Sequence, residues 1–587
     1  MRLVLSTRPP GYGDRMSSAR RLALALGTLA ACTANVPAAP TPAPRPVVAP
    51  KVAPVPPQPT TATPELAPAE RSGEFVVRYA GTGRSEQATT PPVRRVQYAR
   101  LAVKWTARVG KTTFRTTMGH TDGLIVIGTH GATLDGKNEA SDGVYLLDAK
   151  TGKETRKIVT PGAGDRDVGG VAIDAGTIYF TTDNSQIVAA TLAGKIVWTA
   201  EATGKVRPAP ALADLDGDGA IDVVVGDESG TLRAIKGATG QPLWTVKTSE
   251  SEYDARGFIA AAAIADLDAD GHDDLVAASR DGILTAYRGK DGQVLWQHMG
   301  NSGVHASPTV ADFDGDGAPE VLAAWSYGDL SIHDGKTGAV RWGTVLAQDG
   351  GGIEGLFSTP TPLPGKPGVL VVGTAWWDDE DGVILVGVDA RANRAFEHRV
   401  SASAVVLDLD NDGRNEAVIG TEKGLLLAFT AEGGRAELAK LGGPIEAPAL
   451  IADVDNDGKH ELLVASNDGK LTCFATESTG KPYLSRFRGD SLHNRGDLGK
   501  TALGWRSGQP GAGAAGPKPG AGIRVDYLQC CKDLVDEATR APAPDNSKLL
   551  QAASKCNSLA AIAMERSNAV RSIAEAAAGA PLPSSCQ

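Results

Sequence analysis

Asp214-Leu-Asp-Gly-Asp-Gly-Ala-Ile-Asp222 runs straight into Val223-Val-Val-Gly226, and this unit of acidic loop plus apolar run is written five times along the chain. The other copies run from Asp266 to Asp274, Asp312 to Glu320, Asp408 to Glu416 and Asp453 to Glu461. The shared pattern is Asp-x-Asp-x-Asp-Gly-x-x-Asp/Glu. Carboxylates at positions one, three, five and nine can converge on one hard cation, because the Gly at position six permits a sharp turn. Flexible, oxygen-only spacing suits Ca2+ better than octahedral Mg2+. The expected ligands are Asp214, Asp216, Asp218 and Asp222; Asp266, Asp268, Asp270 and Asp274; Asp312, Asp314, Asp316 and Glu320; Asp408, Asp410, Asp412 and Glu416; and Asp453, Asp455, Asp457 and Glu461. An EF-hand loop has twelve residues, ends in a bidentate Glu and lies between helices. Here the loops feed short β-rich runs such as Leu462-Leu-Val464. Asp, Asn and Gly also make turns without any metal, but five copies in one carboxylate register favour about five structural Ca2+ sites.

Spacing sets the architecture. Successive first aspartates lie 52, 46, 96 and 45 residues apart, so the doubled interval hides a unit without an acidic loop. A period near 48 falls in the range of propeller blades. The hidden unit is Gly351 to Val400, with Val369-Leu-Val-Val372 as its strand; Val171 to Phe180 and Gly123 to Ile127 mark two earlier units that also lack the carboxylates. The expectation is an all-β, eight-bladed propeller between about Thr112 and Asn494, with seven blades as the alternative.

A second signal recurs later in each unit. Ala193-Gly-Lys-Ile-Val-Trp198, Thr239-Gly-Gln-Pro-Leu-Trp244, Asp291-Gly-Gln-Val-Leu-Trp296 and Thr337-Gly-Ala-Val-Arg-Trp342 read as tight turns into a strand that carries Trp. Large aromatics at repeat positions belong between blades rather than against a ligand. Val103-Lys-Trp105-Thr-Ala has the same look with no unit before it, so it is expected to complete the last blade and close the ring.

The acidic loops resemble FG-GAP or VCBS-type propeller repeats, and the Gly-x-x-x-Trp turns resemble the quinoprotein (PQQ-like) repeat. The resemblance covers about residues 98 to 497 and implies the fold more than the activity. In plan the chain is also similar to eight-bladed outer-membrane assembly lipoproteins. Phe487-Arg-Gly-Asp-Ser-Leu-His-Asn-Arg-Gly496 resembles a sequence that flanks such propellers, which accounts for its Arg-Gly-Asp without invoking adhesion. The cofactor-binding residues of quinoprotein dehydrogenases find no match, and the adjacent Cys530 and Cys531 lie after the propeller. No Gly-x-Ser-x-Gly elbow, His-Glu-x-x-His helix or phosphate-binding Gly loop is present.

Propellers bind ligands at the ring axis. Seven residues before the first loop aspartates stand Arg207, Ile259, His305, Ser401 and Glu446, with Glu354 near the same place in the loop-less unit. If that position opens the innermost strand, Arg207, His305, Glu354 and Glu446 form a polar axial mouth. The alternative is an ordinary solvated rim.

The ends speak to location. Arg20-Arg21, the short apolar run Leu22 to Leu29 and Leu29-Ala-Ala-Cys32 fit a bacterial lipoprotein signal (residues 1–32), with Cys32 as the lipidated residue; the run is too short to span a bilayer. Thr33 follows instead of the Asp that retains lipoproteins at the inner membrane, which points to the outer membrane of a Gram-negative cell, facing the periplasm or the surface. Residues 33–97 are a Pro- and Ala-rich tether, 98–500 the propeller and 501–522 a Gly/Pro linker. Residues 523–587 read as an α-helical hairpin, from Val525 to about Thr539 and Ser547 to about Ala578. Its four cysteines allow three pairings. The apolar stripes favour Cys531 with Cys556, leaving Cys530 with Cys586, and a Zn site is the rival. Cys473 reads as a buried free thiol on a strand.

With 59 basic and 69 acidic side chains the net charge is −10, which argues against a nucleic-acid partner. The 70 glycines fit many short strands joined by tight turns. The functional expectation is a non-catalytic, calcium-stabilised scaffold, membrane-bound through its lipid only, that binds envelope or surface proteins or a polar ligand at the axis. The alternative is a periplasmic quinoprotein-like oxidoreductase or carbohydrate-active enzyme.

Overall fold

The computed structural model describes residues 101–503 except for 132–137, 248–256, 301, 327, 349–350, 353–354, 366–367, 376–381, 388–391, 490–491 and 501–502. The lipobox Cys32, the tether, most of the 501–522 linker, the helical hairpin with Cys530, Cys531, Cys556 and Cys586, and the axial candidate Glu354 lie outside the described residues.

The described chain is an eight-bladed β-propeller, and no α-helix occurs among its described residues. Innermost strands of blades 1 to 8 are Met118–Thr121, Val168–Asp174, Ala211–Ala213, Ala263–Ala265, Thr309–Asp312, Thr361–Leu363, Val405–Leu407 and Leu450–Ala452. Each is followed outward by antiparallel neighbours. The unit without an acidic loop is blade 6, whose second strand is Val369–Gly373. Second strands are buried on both faces, as in Asp222–Gly226 and Glu416–Gly420, which is why they read as unbroken apolar runs. Outermost strands alternate, as in Ile196–Glu201.

The ring closes with strand Ala102–Arg108, which pairs antiparallel with Lys470–Ala475 as the fourth strand of blade 8. Trp105 and Ala107 bury into a core shared by blades 8 and 1, with Ile125, Tyr145, Leu450 and Leu463. Neighbouring blades dock through the turn signal noted above. Trp198 donates its indole N–H to Gly237 O at 2.7 Å, Trp244 to Gly289 O at 2.6 Å, Trp296 to Gly335 O at 2.7 Å and Trp105 to Ala149 O at 3.0 Å. Each Trp thus caps the turn of the next blade. A Cβ on Gly240, Gly292 or Gly338 would come within 2.6–2.9 Å of that indole, and all three glycines have φ near +70°. The glycine is therefore required twice, by its backbone and by its neighbour.

One element departs from a simple ring. After blade 8 the described residues of Leu484 to Lys500 run along the inner edges of the ring and accept backbone bonds from six innermost strands. Val406 N–H donates to Leu484 O, Ile451 to Ser485 O, Ile173 to Leu492 O, Leu212 to His493 O, Ile264 to Arg495 O and Val310 to Gly496 O, at 2.7–3.0 Å. Strand Asp497–Lys500 then pairs parallel with Thr309–Asp312. An innermost strand would otherwise present an open edge to the channel. Asn494, fully buried, donates to Val171 O at 2.7 Å and Pro210 O at 3.1 Å and accepts from Arg486 at 2.9 Å. This is the structural role of Phe487 to Gly496. Arg488 is 2% exposed and donates to Ala262 O, so its guanidinium is not displayed.

Candidate functional site

The acidic loops connect the innermost strand to the second strand of their blades, all on one face of the ring. Their hydrogen bonding repeats. The position-nine carboxylate accepts from the position-two N–H: Asp222 from Leu215 at 3.0 Å, Glu320 from Phe313 at 2.8 Å, Glu416 from Leu409 at 2.9 Å and Glu461 from Val454 at 2.9 Å. The position-one Asp accepts from the Gly at position six in every loop, from Gly219 to Asp214 at 2.9 Å through Gly458 to Asp453 at 3.0 Å. Position four is also left-handed: Gly217, Ala269, Gly315, Asn411 and Asn456 have φ between 59° and 81°. A Cβ on any of the position-six glycines would meet nothing within 4 Å, so their requirement is conformational.

Carboxylate oxygens of Asp214, Asp216 and Asp218 lie within 4.8 Å of one another, as do those of Asp266, Asp268 and Asp274, of Asp312, Asp314 and Asp316, and of Asp408, Asp410 and Glu416. Asp274 Oδ2 and Asp455 Oδ1 are buried without a hydrogen-bond partner, as ligand atoms would be. The position-nine acids suffer from the crowding. Burial, with the neighbouring loop aspartates, raises the Asp222 and Asp274 carboxyls to about 6 and that of Glu320 to about 7. The residues fit a hard cation. Two loops also contain an ammonium: Lys236 Nζ contacts Asp216 at 2.7 Å and Asp218 at 2.8 Å, and Lys104 Nζ contacts Asp455 at 2.5 Å and Glu461 at 2.8 Å.

The opposite face carries the axial mouth. There a small recess, open to solvent, lies between Phe114, Arg115, Ile259, His305 and Phe357, and Phe487 of the segment from Leu484 to Lys500 also lines it. Phe114 packs on Phe357 with centroids 5.4 Å apart, and His305 meets Phe357 edge-on at 4.8 Å. The Arg115 guanidinium lies 5.2 Å over the Phe114 ring. His305 Nδ1 pairs with Ser326 Oγ at 2.5 Å; burial, with Arg280 and Arg115 nearby, pushes its imidazole down to about 4, so it is neutral at pH 7.

Of the four polar mouth residues expected from the sequence, His305 lines the recess. Arg207 stands beside it, next to the lining residue Pro208, and pairs with Glu228 at 3.0 Å and Asp183 at 3.4 Å. Glu446 is not among the lining residues; it accepts from Asn467 at 2.8 Å, and burial with Glu422 raises its carboxyl to about 7. Ile259 lines the recess, whereas Ser401 is buried. Counting from the acidic loops missed Phe114, Arg115 and Phe357, because blades 1 and 6 have no acidic loop to count from. Cys473 is a free, fully buried thiol, and burial pushes it up to about 12.

Comparison with known proteins agrees with the architecture. Residues 140–316 and 273–362 match the family model described as outer membrane protein assembly factor BamB, over less than half of the chain. No curated protein matches. Among solved structures, the europium-containing methanol dehydrogenase aligns with a TM-score of 0.51 at 13% identity, covering 65% of this chain and 95% of that one. BamB from Moraxella catarrhalis aligns with a TM-score of 0.45 at 17% identity, covering 64% and 99%. The quinohemoprotein alcohol dehydrogenase from Comamonas testosteroni gives 0.46 at 14%, covering 65% and 78%. At these identities the likeness is one of fold. The chain is an eight-bladed propeller in which residues 140–362, from the outer part of blade 1 to the start of blade 6, match the BamB family model.

Proposed function

We propose that this protein is a non-catalytic, calcium-stabilised propeller scaffold that holds a partner protein or polar ligand at its axial mouth. A lipid on Cys32 tethers it to the outer membrane. The observation that carries this reading is the recess. The described residues of Leu484 to Lys500 line the inner edges of six blades, and on the face opposite the acidic loops there remains a recess with aromatic walls and a guanidinium. An apolar surface with one charged group suits an anchoring side chain or a small polar ligand. The imidazole at the recess is a poor general base at neutral pH, since efficient bases titrate near the working pH. In this reading the five acidic loops hold Ca2+ away from the mouth, and the ions serve the fold.

The test is affinity capture from envelope extracts with the wild-type chain and with an Arg115→Ala/Phe357→Ala variant that keeps the wild-type Tm. A partner retained by the wild type and lost by the variant supports the mouth. Equal capture by both removes it. A quinone chromophore in the purified protein would instead favour the oxidoreductase alternative.

A further inference from the structure

A second kind of acidic group lies outside the repeat loops, on the mouth side of blade 2. Asp165 and Asp167 precede its innermost strand and Asp183 follows its second strand; one carboxylate oxygen from each lies within 4.8 Å of the other two. These side chains are only 10%, 5% and 7% exposed. Each has an Oδ1 atom that is buried and makes no hydrogen bond. Their Oδ2 atoms are attended. Lys205 Nζ contacts Asp165 at 3.0 Å and Asp183 at 3.2 Å, Arg207 Nε approaches Asp183 at 3.4 Å, and His130 Nδ1 lies 3.4 Å from Asp167. Cationic side chains thus serve one oxygen of each carboxylate and leave the other bare. Buried carboxylate oxygens are normally satisfied by donors or by a metal.

We propose that Asp165, Asp167 and Asp183, with His130 at the edge, bind one hard divalent cation that pins blade 2 to blade 1. Oxygen donors select the Ca2+, Mg2+ and Mn2+ class, and an imidazole is compatible with Mn2+. The site would be independent of the acidic loops. It shares no residue with them, lies on the other face of the ring and draws on two blades, through His130 of blade 1 and the three aspartates of blade 2. Burial raises the Asp167 carboxyl, reinforced by Asp165 and Asp183 and opposed by His130, and a bound cation would reverse that rise. Arg207 links the site to the mouth, so an ion here would also tune the charge beside Arg115.

The test uses crystals of the full chain soaked in MnCl2, read by anomalous scattering. A peak bonded to all three carboxylates is expected. Peaks confined to the acidic loops, or none, would overturn the site. In solution, an Asp167→Asn/Asp183→Asn variant should bind one fewer tight Mn2+ per chain by electron paramagnetic resonance. Should that variant not fold, Lys205→Met keeps every carboxylate and removes the competing ammonium. It should bind Mn2+ at this site about tenfold more tightly or better, given the strength of a close charge pair, and unchanged binding would overturn the proposal.

Discussion

Gly292 and Gly413 show how one residue type can be required for different reasons. Gly413 has φ near +85° with open space around its missing side chain, whereas Gly292 has φ near +69° and lies against Trp244. Gly413→Ala should therefore cost about 1–2 kcal/mol of backbone strain. Gly292→Ala should cost about 1–3 kcal/mol more, because the indole must also move; urea unfolding of both variants measures the difference. The position-nine acids make a second prediction. Their folded carboxyls titrate near 6 for Asp222 and Asp274 and near 7 for Glu320, above their ordinary values of 3.8 and 4.5. The folded state therefore holds these protons more tightly than the unfolded chain. Their contribution to stability is present below pH 4 and is lost as pH rises through 6 to 7. In chelator, Tm should fall between pH 5 and pH 8, and saturating Ca2+ should cancel that fall by favouring the ionised carboxylates. A chelated protein whose Tm rises over that interval would contradict the assignment.

At the level of the element, the inner segment from Leu484 to Lys500 and the closing strand do different work. Asn494 ties the segment to blades 2 and 3 with one amide group, and its carbonyl holds Arg486. Asn494→Ala should cost about 1–3 kcal/mol, since it removes donors from Pro210 O and Val171 O, the latter keeping its bond from Thr117 Oγ1, and an acceptor from the buried Arg486. Asn494→Asp should cost at least as much, because it replaces the donor with an oxygen facing carbonyls. The closing strand depends on Trp105 at the seam of blades 8 and 1, so Trp105→Ala should cost about 3–5 kcal/mol and speed hydrogen exchange in those two blades first. Uniform loss of protection around the ring would show instead that the seam is no weaker than any other blade contact. The closing strand was legible in the sequence because Val103-Lys-Trp105 repeats the signature of the other outermost strands. The inner segment was legible only as an odd sequence, since it forms few bonds with itself and many with strands up to about 320 residues away.

For the molecule as a whole, the proposed calcium would be a stability term distributed over blades 3, 4, 5, 7 and 8. Each saturated site would add about 2.7 kcal/mol when free Ca2+ exceeds Kd a hundredfold, so chelation should lower Tm by many degrees while leaving the β-sheet signal intact in the cold. The loops at Asp214 and Asp453 enclose Lys236 and Lys104 and should bind more weakly than the other three. Calorimetric titration should resolve that split, and Lys236→Met should strengthen one weak site. Five equal sites would refute the competition.

The blade count and the closing strand followed from the sequence, because the propeller repeats one short-range unit whose turns, carboxylate register and strand patterns are set by residues close together in the chain. The hidden sixth blade could be found by the same spacing. The recess was only partly visible: His305 keeps the repeat register, while Phe114, Arg115 and Phe357 come from blades that lost the acidic marker. Tertiary structure alone decided that the described part of Leu484 to Lys500 runs along the inner edges of six blades and that the Asp165, Asp167 and Asp183 group of blade 2 faces His130 of blade 1. Those contacts depend on where the ring brings distant residues together, which no local pattern encodes.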